Sequence, residues 1–541
     1  MIECSLQSLP KHLVQKIACH ATQWTRTDAS SESVSIGNPV WKMQKYLALC
    51  RSWRASCLPL GCQDACLSVS RNMEIEDRRY WTPSIRSIEE CGGQQYSRHA
   101  HLQLPFYAIV SGRLQELLHD CHTVLPAVTS VWLKIYRGDS TVPVPDPCDG
   151  YIVGFKRAIA RMFPNATAFG IASSVVFGDG EARMEAAAGR LFAEFLRGGQ
   201  RIQYFTAGNT PIMDPGFAAQ SGLTSITYAE CANVHVFEEL IRNSRRTLQT
   251  LAIEAVDPLL LVRLACFPGG SAVEYPELTR LSACCIDQAK LVSRVPLLGA
   301  PFPALRHLTL SQAYPFVGDA LFRGSYGSME RLSLRLDASD VAVLHGHGVL
   351  RPRRFPRVAH LELTLCDQPQ CSDEALGMAA AVSEMAPAVA NLQLHLPAKD
   401  ALLRRLDAAP PAALRYLRLA SQPLSVAEVL AVLRRVPTLA QLEIDPDGPD
   451  EPAERVADMV ARFYPLAPRL RHVIFGVGGT ASMGAAAHYA LLLAVLCPSI
   501  ACVRWASGPY EFADCCTELA ATAAFKPHAA RLRLVDWEKK R

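Results

Sequence analysis

Aliphatic side chains recur along this chain in a fixed frame, with apolar residues three and then two positions apart. The stretch from Phe302 to Leu310 shows it in full: Leu305, Leu308 and Leu310 are apolar, and His307, Thr309 and Ser311 between and after them are polar. The same frame returns at Leu248/Leu251/Ile253, Leu278/Leu281, Met329/Leu332/Leu334, Val358/Leu361/Leu363, Val389/Leu392/Leu394, Leu414/Leu417/Leu419, Leu439/Leu442/Ile444, Leu470/Val473/Phe475, Ile500/Val503/Trp505 and Ala529/Leu532/Leu534. Successive first positions from Leu248 to Ala529 lie 24 to 31 residues apart. The last two apolar positions of each frame share one face of a strand. The remainder of the period has room for a helix. One such strand cannot bury its apolar edge alone, so neighbouring copies must cover it. The pattern predicts one strand per period, paired in parallel, with aliphatic residues facing helices and polar residues on the other face. Proline precedes many frames, as at Pro303, Pro356, Pro387, Pro437 and Pro468. There it is expected to end the preceding helix and to set an extended approach to the strand.

This period and its L-x-x-L-x-L core resemble leucine-rich repeats. The resemblance implies an α/β fold, a leucine-rich-repeat-like solenoid with a curved parallel sheet inside and helices outside. The common pattern carries Asn or Cys eight residues after the first Leu, and here Cys366 alone fits. Irregular turns and unequal curvature are therefore expected. Repeats read as regular over 248–541 and divergent over 67–247. In the divergent part Leu67/Val69, Val131/Leu133/Ile135, Ala166/Phe169/Ile171, Ile202/Phe205 and Leu223/Ile226/Tyr228 read as strands, and Phe106 to His119 and Glu181 to Arg197 as helices. Proline-rich stretches from Ser140 and Asp445 read as loop insertions.

Residues 1–66 do not follow the frame and read as a separate helical cap. Leu9-Pro10 opens one amphipathic helix with Leu13 and Ile17, and Leu47, Cys50 and Trp53 lie in a second. The run L-P-x-x-L-x-x-x-I, followed by L-A-L-C-R-S-W-R, resembles the F-box. Together with irregular leucine-rich repeats, it is similar to the large F-box/leucine-rich-repeat-like families of fungi. That resemblance implies a non-catalytic substrate-recognition adaptor. Its cap would dock on the small adaptor subunit of a cullin-type ubiquitin ligase through Leu9, Pro10, Leu13, Ile17, Leu47 and Trp53. The target protein stays open. The alternative is a leucine-rich-repeat scaffold with no ubiquitin link, whose cap only shields the first repeat.

Half of the 541 residues are hydrophobic and a fifth are charged, which fits a packed core throughout. A net charge of +4 at this length argues against nucleic acid as a partner. The longest apolar run, around Ala490 to Val503, contains Pro498 and is too short for a membrane span. The first residues lack a signal-peptide pattern and the 19 cysteines are scattered. A reduced protein of the cytoplasm and/or nucleus is the expectation. Cys57, Cys62 and Cys66, with Cys50 upstream, lack a paired C-x-x-C, so buried hydrophobes are expected rather than a metal site. His345 and His347 read as a loop tip, and the short basic run from Arg351 to Arg357 as solvated charge.

Gly476-Val477-Gly478-Gly479-Thr480-Ala481 follows a strand and precedes an alanine-rich helix, the context of a dinucleotide loop. No acid follows at the distance that would hold a ribose, so a glycine-rich repeat turn is expected, with no cofactor and no catalytic residue. The function is expected on the concave sheet face instead. There the polar positions line up in columns, and the candidate partner-binding residues are Arg331, Arg335, His360, Glu362, Tyr416, Arg418 and Glu443. Exposed aromatic and arginine side chains carry much of the energy at interfaces.

Overall fold

A computed structural model describes residues 55, 58–59, 62, 64–68, 88–89, 91–112, 114, 123–136, 149–174, 182–197, 201–207, 221–229, 234–254, 259–265, 272–284, 300–311, 322–336, 354–365, 385–395, 413–446, 464–476, 483–505, 509–522, 525–532 and 535–537. The chain divides into two compact units, Met1–Val256 and Asp257–Arg541. Both are α/β, each with a parallel sheet.

In the first unit the sheet runs β1 (Asp64–Ser68), β2 (His99–Pro105), β3 (Ser130–Tyr136), β4 (Ala168–Ser174), β5 (Arg201–Ala207), β6 (Ser225–Ala229) and β7 (Thr250–Glu254). Each strand pairs in parallel with the one before it. Helices α1 (Phe106–Val110), α2 (Asp149–Met162), α3 (Ala182–Arg197) and α4 (Val234–Asn243) lie between strands in the chain. The inward Phe169 of β4 meets Phe195 of α3 at 6.4 Å, and Phe195 meets Phe155 of α2 at 5.9 Å. Those rings join the helices to the apolar side of the sheet.

The second unit repeats the scheme with α5 (Leu259–Ala265), β8 (Arg280–Cys284), β9 (His307–Ser311), β10 (Arg331–Leu336), β11 (His360–Leu365), β12 (Asn391–His395), β13 (Tyr416–Leu424), α6 (Val426–Arg435), β14 (Gln441–Pro446), β15 (His472–Phe475), α7 (Met483–Leu496), β16 (Cys502–Trp505), α8 (Pro509–Ala520), α9 (Ala529–Leu532) and β17 (Asp536–Trp537). Parallel pairing again follows chain order from β8 to β17. The frame leucines are its core: Leu308, Leu310, Leu332, Leu334, Leu361 and Leu363 are all buried. Each such side chain contributes about 1.5–3 kcal/mol by leaving water. Helix α7 is apolar on nearly every side, and its length from Ala486 to Leu496 is buried, His488 included.

Proline follows the end of α6 as expected, at Pro437, but it does not set an extended approach to the strand. In Tyr275-Pro276-Glu277-Leu278, Phe302-Pro303-Ala304-Leu305, Phe355-Pro356-Arg357-Val358, Val436-Pro437-Thr438-Leu439 and Ala467-Pro468-Arg469-Leu470, the last residue's amide donates to the first residue's carbonyl at 3.0 to 3.3 Å. Proline is thus the second residue of a β-turn, a position its fixed φ suits. It is a corner, not an extended approach. The residues before and two after each proline are buried, so the turn locks two core side chains at the entrance to each strand.

A second device closes the entrance of the strands. Thr247, Ser328, Thr438 and Ser499 each stand just before the first frame position and donate to the carbonyl of the first frame residue one repeat earlier, at Leu223, Leu305, Leu414 and Leu470, at 2.7 to 2.9 Å. Backbone donors complete the corner. The amides of Arg306 and His307 share the Thr279 carbonyl, and those of Arg471 and His472 share that of Ala440, at 2.8 to 3.2 Å. The strand entrance is thereby saturated with hydrogen bonds without asparagine.

Several expectations need correction. The last frame, Ala529/Leu532, is not a strand: these residues form α9, and the final strand pairs Asp536 with Cys502 and Trp537 with Val503. A turn of helix opened by Pro527 occupies the place where leucine spacing imitated the frame. Strand β2 was not anticipated, because its first frame position is Ser97, a polar residue that is fully buried and donates to the Cys62 carbonyl at 2.8 Å. By the same register Cys62 is the first frame residue of β1. That strand begins at Asp64, inside the segment expected as cap, and Val69 lies outside the described residues. Most of the expected cap, the loop after Ser140, His345, His347 and most of the acidic stretch after Asp445 lie outside the described residues.

These contacts set expectations for urea unfolding. Phe302 is buried between Tyr275 and Phe322, with centroids 5.6 and 5.9 Å away, so Phe302→Ala should cost about 3–5 kcal/mol. Pro303→Ala should cost below about 1 kcal/mol, through the unfolded chain alone. Equal losses for the two would contradict the turn assignment.

Candidate functional site

The face opposite the helices is built from the polar positions of the frame, and pairing register sets their neighbours. His307, Arg331, His360, Asn391, Tyr416, Gln441, His472 and Cys502 form one row across eight strands. Thr309, Ser333, Glu362, Gln393, Arg418, Glu443, Ile474 and Arg504 form the next. Directly paired strands lie about 4.8 Å apart, so each side chain can reach its row neighbour.

Three of the anticipated residues meet here. The Tyr416 hydroxyl donates to Glu443 Oε2 at 2.8 Å, and Arg418 Nε lies 3.0 Å from Glu443 Oε1. Glu443 thus holds both neighbours from the adjacent strand. Burial, then the Glu443 carboxylate, keeps the Tyr416 proton well above the usual phenol range. Glu362 accepts from the Ser333 hydroxyl at 3.0 Å, and His360 Nδ1 is 2.7 Å from Asn391 Nδ2. Ser333 and Asn391 were expected in the outward columns of this face but not among its partner-binding residues. The frame gave their place in the columns, but nothing in their sequence context gave their hydrogen bonds. Arg331 and Arg335 stand on β10, three strands from β13, and do not join the Tyr416 cluster. Leu9, Pro10, Leu13, Ile17, Leu47 and Trp53 lie outside the described residues.

The other chemistry considered resolves into packing. Gly476 donates its amide to the Ile444 carbonyl at 2.9 Å, and a Cβ there would lie 2.1 Å from Asp445 Oδ1. The glycine makes room for that buried carboxylate. Cys62 sits 3.7 Å from Cys91, and this contact, with burial, holds Cys62 firmly as a thiol. Among the described residues no group of three or more His, Cys, Asp or Glu side chains could hold a metal ion, and no helix is long and apolar enough to cross a membrane. Of the basic run at Arg351 to Arg357, Arg354 lies over the Tyr326 ring, 4.1 Å from its centroid. That arginine is a packing residue. No protein-family model matches the chain, and no curated protein matches it either.

The face also carries three histidines whose pKa values lie below the ordinary 6.5. Burial is the first cause in each. Next come Arg280 and Arg331 at His307, Arg331 at His360, and Arg418 at His395, while Glu330 at His307 and Glu362, Asp445 and Glu443 at His395 pull the other way. Below about pH 6.5 the unfolded chain therefore binds protons that the folded chain resists, and stability falls with pH. The melting temperature should drop between pH 7.5 and 5.5, and His307→Gln with His360→Gln and His395→Gln should flatten part of that slope. An unchanged slope in the triple variant would contradict the assignment. Gly476→Ala should cost about 1–3 kcal/mol in urea unfolding, and a neutral result would remove the packing explanation for the glycine.

Proposed function

We propose that the chain is a non-catalytic recognition subunit, a leucine-rich-repeat-like solenoid that binds a target protein on its polar sheet face. Its N-terminal F-box-like segment docks on the small adaptor subunit of a cullin-type ubiquitin ligase. The observation that carries the recognition half is the cluster at β13 and β14. Tyr416 and Arg418, residue types that dominate interface energetics, are held side by side by one carboxylate on the polar face of the sheet, where both stay partly exposed. Preorganised side chains lose less entropy on binding. The docking half rests on the sequence resemblance and places Leu9, Pro10, Leu13, Ile17, Leu47 and Trp53 at the adaptor.

Two experiments separate the halves. Affinity purification of the full chain should bring down the cullin ligase adaptor, and Leu13→Asp with Trp53→Ala should abolish that recovery. Failure to recover any such adaptor would leave the scaffold without a ubiquitin link. Proximity labelling with the intact chain should lose its main partner on Tyr416→Ala with Arg418→Ala. An unchanged partner set would exclude the cluster as the recognition surface.

A further inference from the structure

We infer that the β8–β10 part of the same face is an acid-binding subsite, which takes an Asp- or Glu-rich segment of the protein partner. The inference rests on the reading of this face as the recognition surface and adds the chemistry it selects. The outward positions of these three strands carry Arg280, His307, Arg331 and Arg335, four hydroxyls and one thiol, and no acid. Strand pairing sets Arg280 beside His307 and His307 beside Arg331. The two arginines therefore flank His307, one on each neighbouring strand. Further along the sheet the character changes: Glu362 stands on β11 and Glu443 on β14.

Three observations point to an anion from outside. Glu330, the nearest acid in sequence, is engaged by Arg306 at 3.4 Å. Among the described residues neither Arg280 nor Arg331 has an ion-pair partner, and both are exposed. The field of these two arginines is strong enough at His307 to help push its pKa down. Ser282 and Thr309, small hydroxyl side chains on β8 and β9, leave room for a ligand to approach the sheet and offer it donors, whereas the Ser333 hydroxyl is taken by Glu362. Arginine forks match carboxylates in pairs, and a partner strand laid across β8–β10 would present an acid to each. The carboxylates at Glu362 and Glu443 repel the same segment, so the charge pattern also sets where it lies along the face.

The test uses the full-length chain and three fluorescein-labelled probes: a twelve-residue peptide alternating Glu and Ser, its Gln counterpart, and a twelve-nucleotide single-stranded DNA. Fluorescence anisotropy in low salt should show the Glu peptide binding at least tenfold tighter than the other two. Arg280→Glu with Arg331→Glu should weaken it at least tenfold, as should the milder Arg280→Gln with Arg331→Gln, which guards against misfolding. Arg469→Glu, on a turn away from the face, should leave it unchanged. No binding of the Glu peptide, equal binding of the Gln peptide, DNA binding as tight as the Glu peptide, or full retention in both double variants would overturn the subsite. If the subsite fails while Tyr416→Ala with Arg418→Ala still removes the partner, the recognition surface stands without it. An unchanged partner set sinks both.

Discussion

A strand joins a parallel sheet of this kind only if the backbone at its entrance is satisfied, because that corner is buried before the ladder begins. Each buried backbone group without a partner costs about 1–3 kcal/mol, as much as one buried leucine gains. Here the corner is closed by three elements acting together: a proline β-turn, a carbonyl shared by two successive amides, and in several repeats a serine or threonine hydroxyl reaching back one repeat. Everything else depends on this closure. With the entrance set, Leu308 and its equivalents must point into the core, and the residues between them must point out.

The same closure explains the surface. Register is carried from strand to strand by corners of one design, so polar residues 25 to 31 positions apart in the chain become neighbours in a row, as Glu362, Gln393, Arg418 and Glu443 do. A repeat array thereby displays side chains at a fixed spacing without any loop to position them. Tyr416 and Arg418 gain a shared carboxylate from the next strand, while Arg280, His307 and Arg331 gain no acid. Two kinds of surface thus arise on one sheet from single-residue choices at equivalent positions.

Much of this was legible in the sequence. The frame from Leu248 to Ile500 coincides with strands β7 to β16, because leucine spacing and strand period are the same physical fact. The rows of the outward face followed directly from it. The exceptions have local causes. Ser97 stands where an aliphatic residue marks the frame elsewhere, and its hydrogen bond to Cys62 does the work of burial. Ala529 and Leu532 copy the spacing but lie in a helical turn. The hydroxyls that close the corners carry no sequence signature, since serine and threonine are common and their acceptors lie a whole repeat away. Within the candidate site, register gave the neighbours but not the contacts. That Glu443 holds Tyr416 as well as Arg418 depends on side-chain rotamers, which spacing does not encode.

The central claim is that the polar sheet face, and not the helical side, recognises a partner. Site-specific photo-crosslinking tests it most directly, with p-benzoylphenylalanine placed in full-length protein at Tyr416 on the sheet face or at Ala431, an exposed position on α6. A discrete crosslinked partner is expected from position 416 and none from 431. A partner captured from 431 but not from 416 would contradict it.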